Sequence, residues 1–186
     1  MVAVNGATIQ GNFGKYDLTG NVVSGSGTIS VDFDQDSAFT GASQITGTGV
    51  INFDMTGTTW NMTGDSKLSS LAFNDNSSNI IFAGDNTFKT LSLGGLSGSA
   101  GNFTMRTDLV GDGTGNNRGD FLQVTGTSGG NHFVTVQNNG SVSATGNETL
   151  TIIRTEDGVA TFQNTNEVDL GGYEFNLRDV AGSNQK

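Results

Sequence analysis

A parallel β-solenoid is the fold this sequence predicts, and three observations predict it. Apolar residues recur at a fixed interval of 20 residues through the first half of the chain. Glycine, asparagine and aspartate separate short runs rich in Val, Ile and Phe, which reads as short strands joined by tight turns. Proline is absent among 186 residues, where about nine would be usual at average composition. A chain without proline keeps every backbone N–H available to a sheet ladder.

The repeat is visible by eye. "GTISVDFD" (27–34) and "GTGVINFD" (47–54) lie 20 residues apart, and the same shift leads to "KLSSLAFN" (67–74) and "TFKTLSLG" (87–94). Val31, Ile51, Leu71 and Leu91 then coincide, as do Phe33, Phe53, Phe73 and Leu93, with Phe13 one step earlier. A second column runs Val22, Ala42, Met62 and Phe82. Spacing of two within each run puts paired side chains on one face of a strand. A single rung cannot bury such a face, but stacked rungs bury a continuous apolar column.

The regular beat ends near residue 96. Phe103 and Met105 form an inward pair in the next run. "FLQV" (121–124), "HFVTV" (132–136), "TLTII" (149–153), "VATF" (159–162), "EVDL" (167–170) and "YEFNL" (173–177) then follow at unequal spacing. "TSGG" and "NNGSVSATGN" read as hairpin turns between them. The expected division is a stem of rungs over 1–96 and a hairpin-containing C-terminal cap over 97–186, continuous with the stem. A cap answers the need of a solenoid to protect its last strand edges. The initiator Met directly before a strand-like run suggests a piece of a longer protein.

The order of the C-terminal motifs resembles a family. "GDSKLSSLAFNDNSSNIIF", "FKTLSLGGLSGSAGNFTMRTDL", "GDFLQVTGTSGGNHFVTVQNNG", "LTIIRTEDGVATF" and "VDLGGYEFNL" occur in the order found at the C-terminal end of type V autotransporter passengers. There they form the pertactin-like β-helix stem with its autochaperone segment. The resemblance covers about residues 60–180. It implies a right-handed parallel β-helix, secreted through the outer membrane of a Gram-negative bacterium to the cell surface. It implies a non-catalytic stem whose C-terminal segment nucleates and caps folding during secretion. The implied partners are the passenger's own upstream rungs and a downstream translocator β-barrel, with a host surface or cytoskeletal protein as a further possibility. Adhesion or self-association through the sides of the same stem is the alternative reading. Within the segment, Leu122, Val124, Phe133, Tyr173 and Phe175 are expected in the core of the cap, Gly172 at its turn, and Gly119 and Asp120 at the entrance to the "FLQV" strand.

Composition narrows the other classes. The net charge of −10 and pI near 4.2 argue against phosphate backbones and anionic lipid surfaces as partners. No apolar run reaches the roughly 18 residues of a membrane-spanning helix. The N-terminus has no basic, apolar signal-peptide pattern. The absence of cysteine rules out disulfides and thiolate metal sites.

Four motifs invite chemistry. "GTSGG" (126–130) has the G-x-S-x-G form around Ser128, with His132 nearby, but it lies between alternating strands rather than at a strand-to-helix elbow, so a turn is expected. His132, the only histidine, is expected to decorate a strand end. "GDGTGNNRGD" (111–120) carries Asp112 and Asp120 in a glycine-rich run like a calcium loop, but as one copy where such loops come in tandem. Its "RGD" would need an exposed loop to meet a receptor; Gly119 and Asp120 are explained by turn chemistry. Asp32, Asp34 and Asp36 alternate along one run, outward if Phe33 is inward, and a carboxylate pair is what a polysaccharide-processing β-helix enzyme would use. A solvated acidic edge is the expected reading. No cofactor is implied, and Trp60 is expected where a rung turns a corner, packed in the core or at an edge.

Overall fold

A computed structural model describes residues 1–4, 6–83, 85–109, 118–140 and 144–179. The chain winds as a parallel β-solenoid with three faces, its strands numbered β1 to β21 in chain order. The first face stacks β2 (Thr8–Phe13), β5 (Thr28–Phe33), β8 (Val50–Met55), β11 (Ser70–Phe73) and β14 (Leu96–Gly98). The second stacks seven strands: β3 (Asp17–Thr19), β6 (Ala38–Gly41), β9 (Thr59–Met62), β12 (Asn79–Phe82), β15 (Asn102–Thr107), β17 (Asn131–Asn138) and β19 (Thr161–Asn164). The third holds β1 (Val2–Ala3), β4 (Val22–Ser24) and β7 (Ser43–Ile45), then β10 (Ser66–Leu68), β13 (Thr90–Leu93), β16 (Phe121–Val124) and β18 (Ile153–Thr155). Between β7 and β10 the backbone ladder is interrupted. Hydroxyls bridge it: Ser43 N–H donates to Ser66 Oγ at 3.1 Å and Ser43 Oγ to the Lys67 carbonyl at 3.1 Å.

Alternation builds the core. In β5, Ile29, Val31 and Phe33 point inward while Ser30 and Asp32 face out. Stacked turns bring aromatic rings together inside: Phe13 lies 6.1 Å from Phe33, Phe33 5.2 Å from Phe53, and Phe39 5.5 Å from Trp60. Such pairs add about 0.5–1.5 kcal/mol each beyond area burial. Trp60 sits in the middle of β9, fully buried, with its indole N–H donating to the Gly41 carbonyl at 2.9 Å. It is a core residue and not a corner one.

The strict 20-residue alignment is corrected by the ladder. Thr8 to Phe13 pair with Thr28 to Phe33 at that interval, so Phe13 does stack on Phe33. The next turn is longer by two, and Val31 pairs with Phe53 and Phe33 with Met55. The following one is shorter, and Phe53 pairs with Leu71 and Met55 with Phe73. A slip of two keeps every side chain on its face, which is why the inward residues were right and their partners were not. Leu91 and Leu93 belong to the third face, between Ser66 and Leu68 on one side and Leu122 and Val124 on the other. Met62 and Phe82 do stack, on the second face, whereas Val22 lies on the third.

Beyond residue 96 the chain continues as a solenoid with longer turns. β13 pairs with β16, β16 with β18, β15 with β17 and β17 with β19, all parallel. "TSGG" is therefore a corner between two faces, not a hairpin: Leu96 and Ser128 form a parallel bridge that extends the first face. "NNGSVSATGN" likewise joins strands of different sheets, and its residues 141–143 lie outside the described residues. The one antiparallel strand pair among the described residues is β20 (Val168–Leu170) with β21 (Tyr173–Phe175), turning at Gly171 and Gly172, with Gly172 at φ 85°. Corners of successive turns approach closely at Gly98 and Gly130, both at positive φ; a Cβ at Gly130 would lie 1.7 Å from the Gly98 carbonyl oxygen. Only glycine fits there.

Candidate functional site

The C-terminal turns collect buried charged groups, whereas the buried polar residues described in the earlier turns are hydroxyls such as Ser24, Ser43 and Thr58. Asp120 is completely buried. Its Oδ2 accepts the Arg106 N–H at 2.7 Å and Nε–H at 2.9 Å. Its Oδ1 accepts Arg106 Nη2 at 2.9 Å and the Lys89 N–H at 2.8 Å. Arg106 also donates from Nη1 to the Asp85 carbonyl at 2.5 Å and from Nη2 to the Thr87 carbonyl at 2.7 Å. Its guanidinium lies 5.9 Å from the Phe88 ring centroid. Lys89, also buried, bonds Asp85 Oδ1 at 3.0 Å; the Thr87 hydroxyl bond first, and then this one, hold the Asp85 carboxyl well below its usual range.

One carboxylate thus joins the segment 85–89, strand β15 and the entrance to β16. Thr107 and Gly119 bridge antiparallel, and Asp120 N–H donates to the Arg106 carbonyl at 2.8 Å, so Arg106–Thr107 and Gly119–Asp120 lie side by side. A Cβ at Gly119 would meet the end of the Leu150 side chain at 2.7 Å and the Arg106 carbonyl oxygen at 3.3 Å, so a side chain there would have to displace Leu150. Residues 110–117, including Asp112, lie outside the described residues.

This geometry corrects two readings of the stretch. The aspartate of "RGD" is an ion-pair partner inside the protein, so it does not present to a receptor. Both oxygens of Asp120 are engaged by cations and N–H groups, so it is no calcium ligand. Its role is also more than turn chemistry.

Ser128 is held by the following turn. Its N–H donates to Asp157 Oδ2 at 2.6 Å, its hydroxyl donates to Asp157 Oδ1, and it accepts the Ala160 N–H at 3.0 Å. The bonds from the Ser128 hydroxyl and amide pull the Asp157 carboxyl below its ordinary value. His132 does not reach this serine. Its Nε2 bonds the Gly129 carbonyl at 2.9 Å, so Nε2 carries the proton, and its Nδ1 is buried with no hydrogen-bond partner among the described residues. A catalytic triad needs the histidine between serine and carboxylate; here the carboxylate binds the serine directly.

The histidine is a core residue, contrary to its expected place at a strand end. It is fully buried, with ring centroids 5.5 Å from Phe73, 5.7 Å from Phe162 and 6.1 Å from Phe103. Burial lowers its pKa. Phe133, expected in the core, faces outward and is half-buried, because β17 turns His132 and Val134 inward. Leu122 and Val124 are fully buried as expected. Tyr173 is 46% exposed and Phe175 half-buried, so neither is a full core residue. Tyr173 nevertheless lies against Gly146, where a Cβ would meet its ring at 2.5 Å. Below the hairpin, Leu109, Val168 and Leu170 form a second apolar cluster with Val136, Leu150 and Phe175.

The acidic run separates. Asp32 lies on the outer side of β5 beside Asp54 of the next turn, and burial together with Asp32 raises the Asp54 pKa. Asp34 and Asp36 sit in the exposed corner after the strand, with Asp36 at φ 64°. Among the described residues no three His, Asp or Glu side chains gather as a metal cluster.

The Pertactin family matches residues 68–185. A "Probable autotransporter YcgV" of Escherichia coli K12 is 39% identical over 171 residues, covering 89% of this chain and 18% of that protein. The "Autotransporter adhesin/invasin TibA" of Escherichia coli O78:H11 is 29% identical over 167 residues, covering 84% of this chain and 16% of that protein. The chain therefore spans under a fifth of the length of these relatives. The crystal structure of the Haemophilus influenzae Hap adhesin superposes over 96% of this chain and 23% of its own, with a TM-score of 0.57 at 19% identity, which is a likeness of fold.

Proposed function

The chain belongs to the pertactin family of type V autotransporter passengers, and on that premise we propose that it is the stem whose C-terminal part, residues 97–186, starts and caps β-helix folding. The Arg106–Asp120 pair carries this reading. It ties β15 and the entrance to β16 to each other and to residues 85–89 at the end of the stem, so one carboxylate fixes the C-terminal segment against the turn it adjoins. The antiparallel β20–β21 pair lies at the far end, over the second apolar cluster. The other end of that unit offers parallel ladder edges to the preceding rung, and each added rung presents the same edge again. Leu122 and Val124 carry the packing of this segment, Phe175 joins its second apolar cluster and Gly172 makes its turn, with Gly119 and Asp120 at the entrance to β16. The stem itself performs no catalysis. Its partners are its own upstream rungs and a downstream translocator barrel, and its place is the bacterial surface.

Leu122→Asp and Tyr173→Ala, made in the full-length passenger, test this. Leu122→Asp puts a charge into the core and should abolish surface display of a protease-resistant passenger. Tyr173→Ala should reduce it. Normal display in both variants overturns the proposal.

Adhesion is a second reading, favoured by one feature. A strip of polar side chains runs along the outside of the second face: Asn102 Nδ2 donates to Asn79 Oδ1 at 3.1 Å, Thr135 Oγ1 to Asn102 Oδ1 at 3.3 Å, and Thr135 meets Thr165 at 2.7 Å. Beads coated with the isolated chain should aggregate if this surface is adhesive, and stay dispersed if it is not.

A further inference from the structure

Phe133 points out of the second face, half-buried, whereas Phe39, Phe82, Phe103 and Phe162 of the same sheet pack inward. The ladder fixes what surrounds it. Asn102 lies opposite it on the preceding turn and Gln163 on the following one. Asn131 and Thr135 stand two positions away along β17, on the same side of the strand. The ring is thus framed by three amides and one hydroxyl. Thr135 Oγ1 donates to Asn102 Oδ1 at 3.3 Å, which holds two members of the frame in place. Gln163 is exposed, with a donor and an acceptor to offer.

The neutrality of this frame extends along the sheet. The chain has 18 acidic and 8 basic residues, yet the outward positions of β6, β9, β12, β15, β17 and β19 are Thr, Asn, Gln, Ala, Ile and Phe133. Arg106 shares their parity but is buried and paired with Asp120. A charged partner finds no counter-ion on this face. An apolar partner would cover its amides without pairing them. A sugar satisfies both conditions: its hydroxyls exchange hydrogen bonds with Asn, Gln and Thr, and the C–H face of its ring lies on an aromatic ring. Turns repeat about every 4.8 Å, close to the length of one residue in an extended β-linked glucan, so such a chain lying across the stacked strands places one residue per turn. The geometry points to a subsite for one residue of a neutral β-linked glucan on Phe133, framed by Asn102, Asn131, Thr135 and Gln163, with the rest of the glucan along the polar strip. This rests on the adhesive reading of the second face and names its partner.

Titration of the purified chain with cellohexaose, followed by the aromatic NMR signals of Phe133 and the side-chain amide signals of Asn102, Asn131 and Gln163, tests it. Saturable shifts are expected. Phe133→Ala, checked for folding by circular dichroism, should weaken binding about tenfold, the ratio that one good aromatic contact supplies. Phe133→Tyr, which keeps the ring, should bind as the parent chain does. Hexagalacturonate, an acidic oligosaccharide of the same length, should bind more weakly than cellohexaose. A flat titration with cellohexaose overturns the proposal. If beads coated with the chain then aggregate all the same, the adhesive reading stands without the glucan; if they stay dispersed, both fall. Unchanged affinity in Phe133→Ala overturns the subsite. Tighter binding of hexagalacturonate assigns the face to an acidic polymer and overturns the neutral glucan.

Discussion

The turns before residue 83 and those after residue 85 are built on the same three faces but held by different forces. In the first, the core is a plain stack of Phe, Ile, Val, Met and Trp, with turns about equal in length. In the second, Asp120, Arg106 and Lys89 are buried beside the apolar column, the inward His132 stacks with its aromatic rings, and turns stretch to 31 residues between Leu91 and Leu122. Apolar stacking is non-directional, so one rung fits another whenever the faces match. A bidentate ion pair fits one partner in one geometry. The repeat-like half is thus suited to being extended, and the polar half to being defined.

The largest expected effect comes from breaking the polar half at its centre. Asp120→Ala leaves the Arg106 guanidinium buried without its carboxylate and should cost about 3–5 kcal/mol in urea unfolding, with hydrogen-exchange protection lost first in β15 and β16. The double change Arg106→Met with Asp120→Leu should recover most of it, because the cost lies in the stranded charge. A small effect of Asp120→Ala would put the two halves on the same footing.

A smaller effect separates the halves by pH. The pKa of His132 is lowered by burial, so below the ordinary histidine value of 6.5 the unfolded chain binds a proton that the folded one does not. Stability from the neutral ring is full above that pH. It falls as the pH drops from there toward the lowered folded value, by at most about 1.4 kcal/mol per pH unit. His132→Phe should flatten the slope in this window. The carboxyls of Asp157 and Asp85, also lowered, act in the same direction but in a more acidic window. An unchanged slope in the variant would show that the ring does not govern this transition.

The smallest effect belongs to the apolar half. Ile51→Val removes one methylene from a fully buried position and should cost about 0.5–1.5 kcal/mol by denaturant unfolding, independent of pH between 5 and 8. A pH-dependent cost would mean that the halves are coupled more tightly than their separate cores suggest.

Much of the fold was legible in the residues. Alternation at Val31 and Phe33 or at Leu122 and Val124 assigns the inward face, because a strand has a period of two. The position of His132 was legible too: Val134 and Val136 share its parity, and two inward valines outweigh one outward phenylalanine. Choosing Phe133 for its own hydrophobicity put the wrong side in the core. The Asp120–Arg106 pair gave no local signal, since its partners are 14 residues apart in the chain.

The sequence alone determined that this is a repeating β protein, which residues turn inward, and that its C-terminal motifs follow the order of a passenger stem, because periodicity and turn residues act over a few positions. Tertiary structure alone decided which rung lies over which, that the C-terminal strands pair in parallel, and that Asp120, Ser128 and His132 are internal. The physical reason is that a slip of two residues preserves every local preference. Only contacts between turns, at the close approach of Gly98 and Gly130 or at a buried ion pair, distinguish one register from the next.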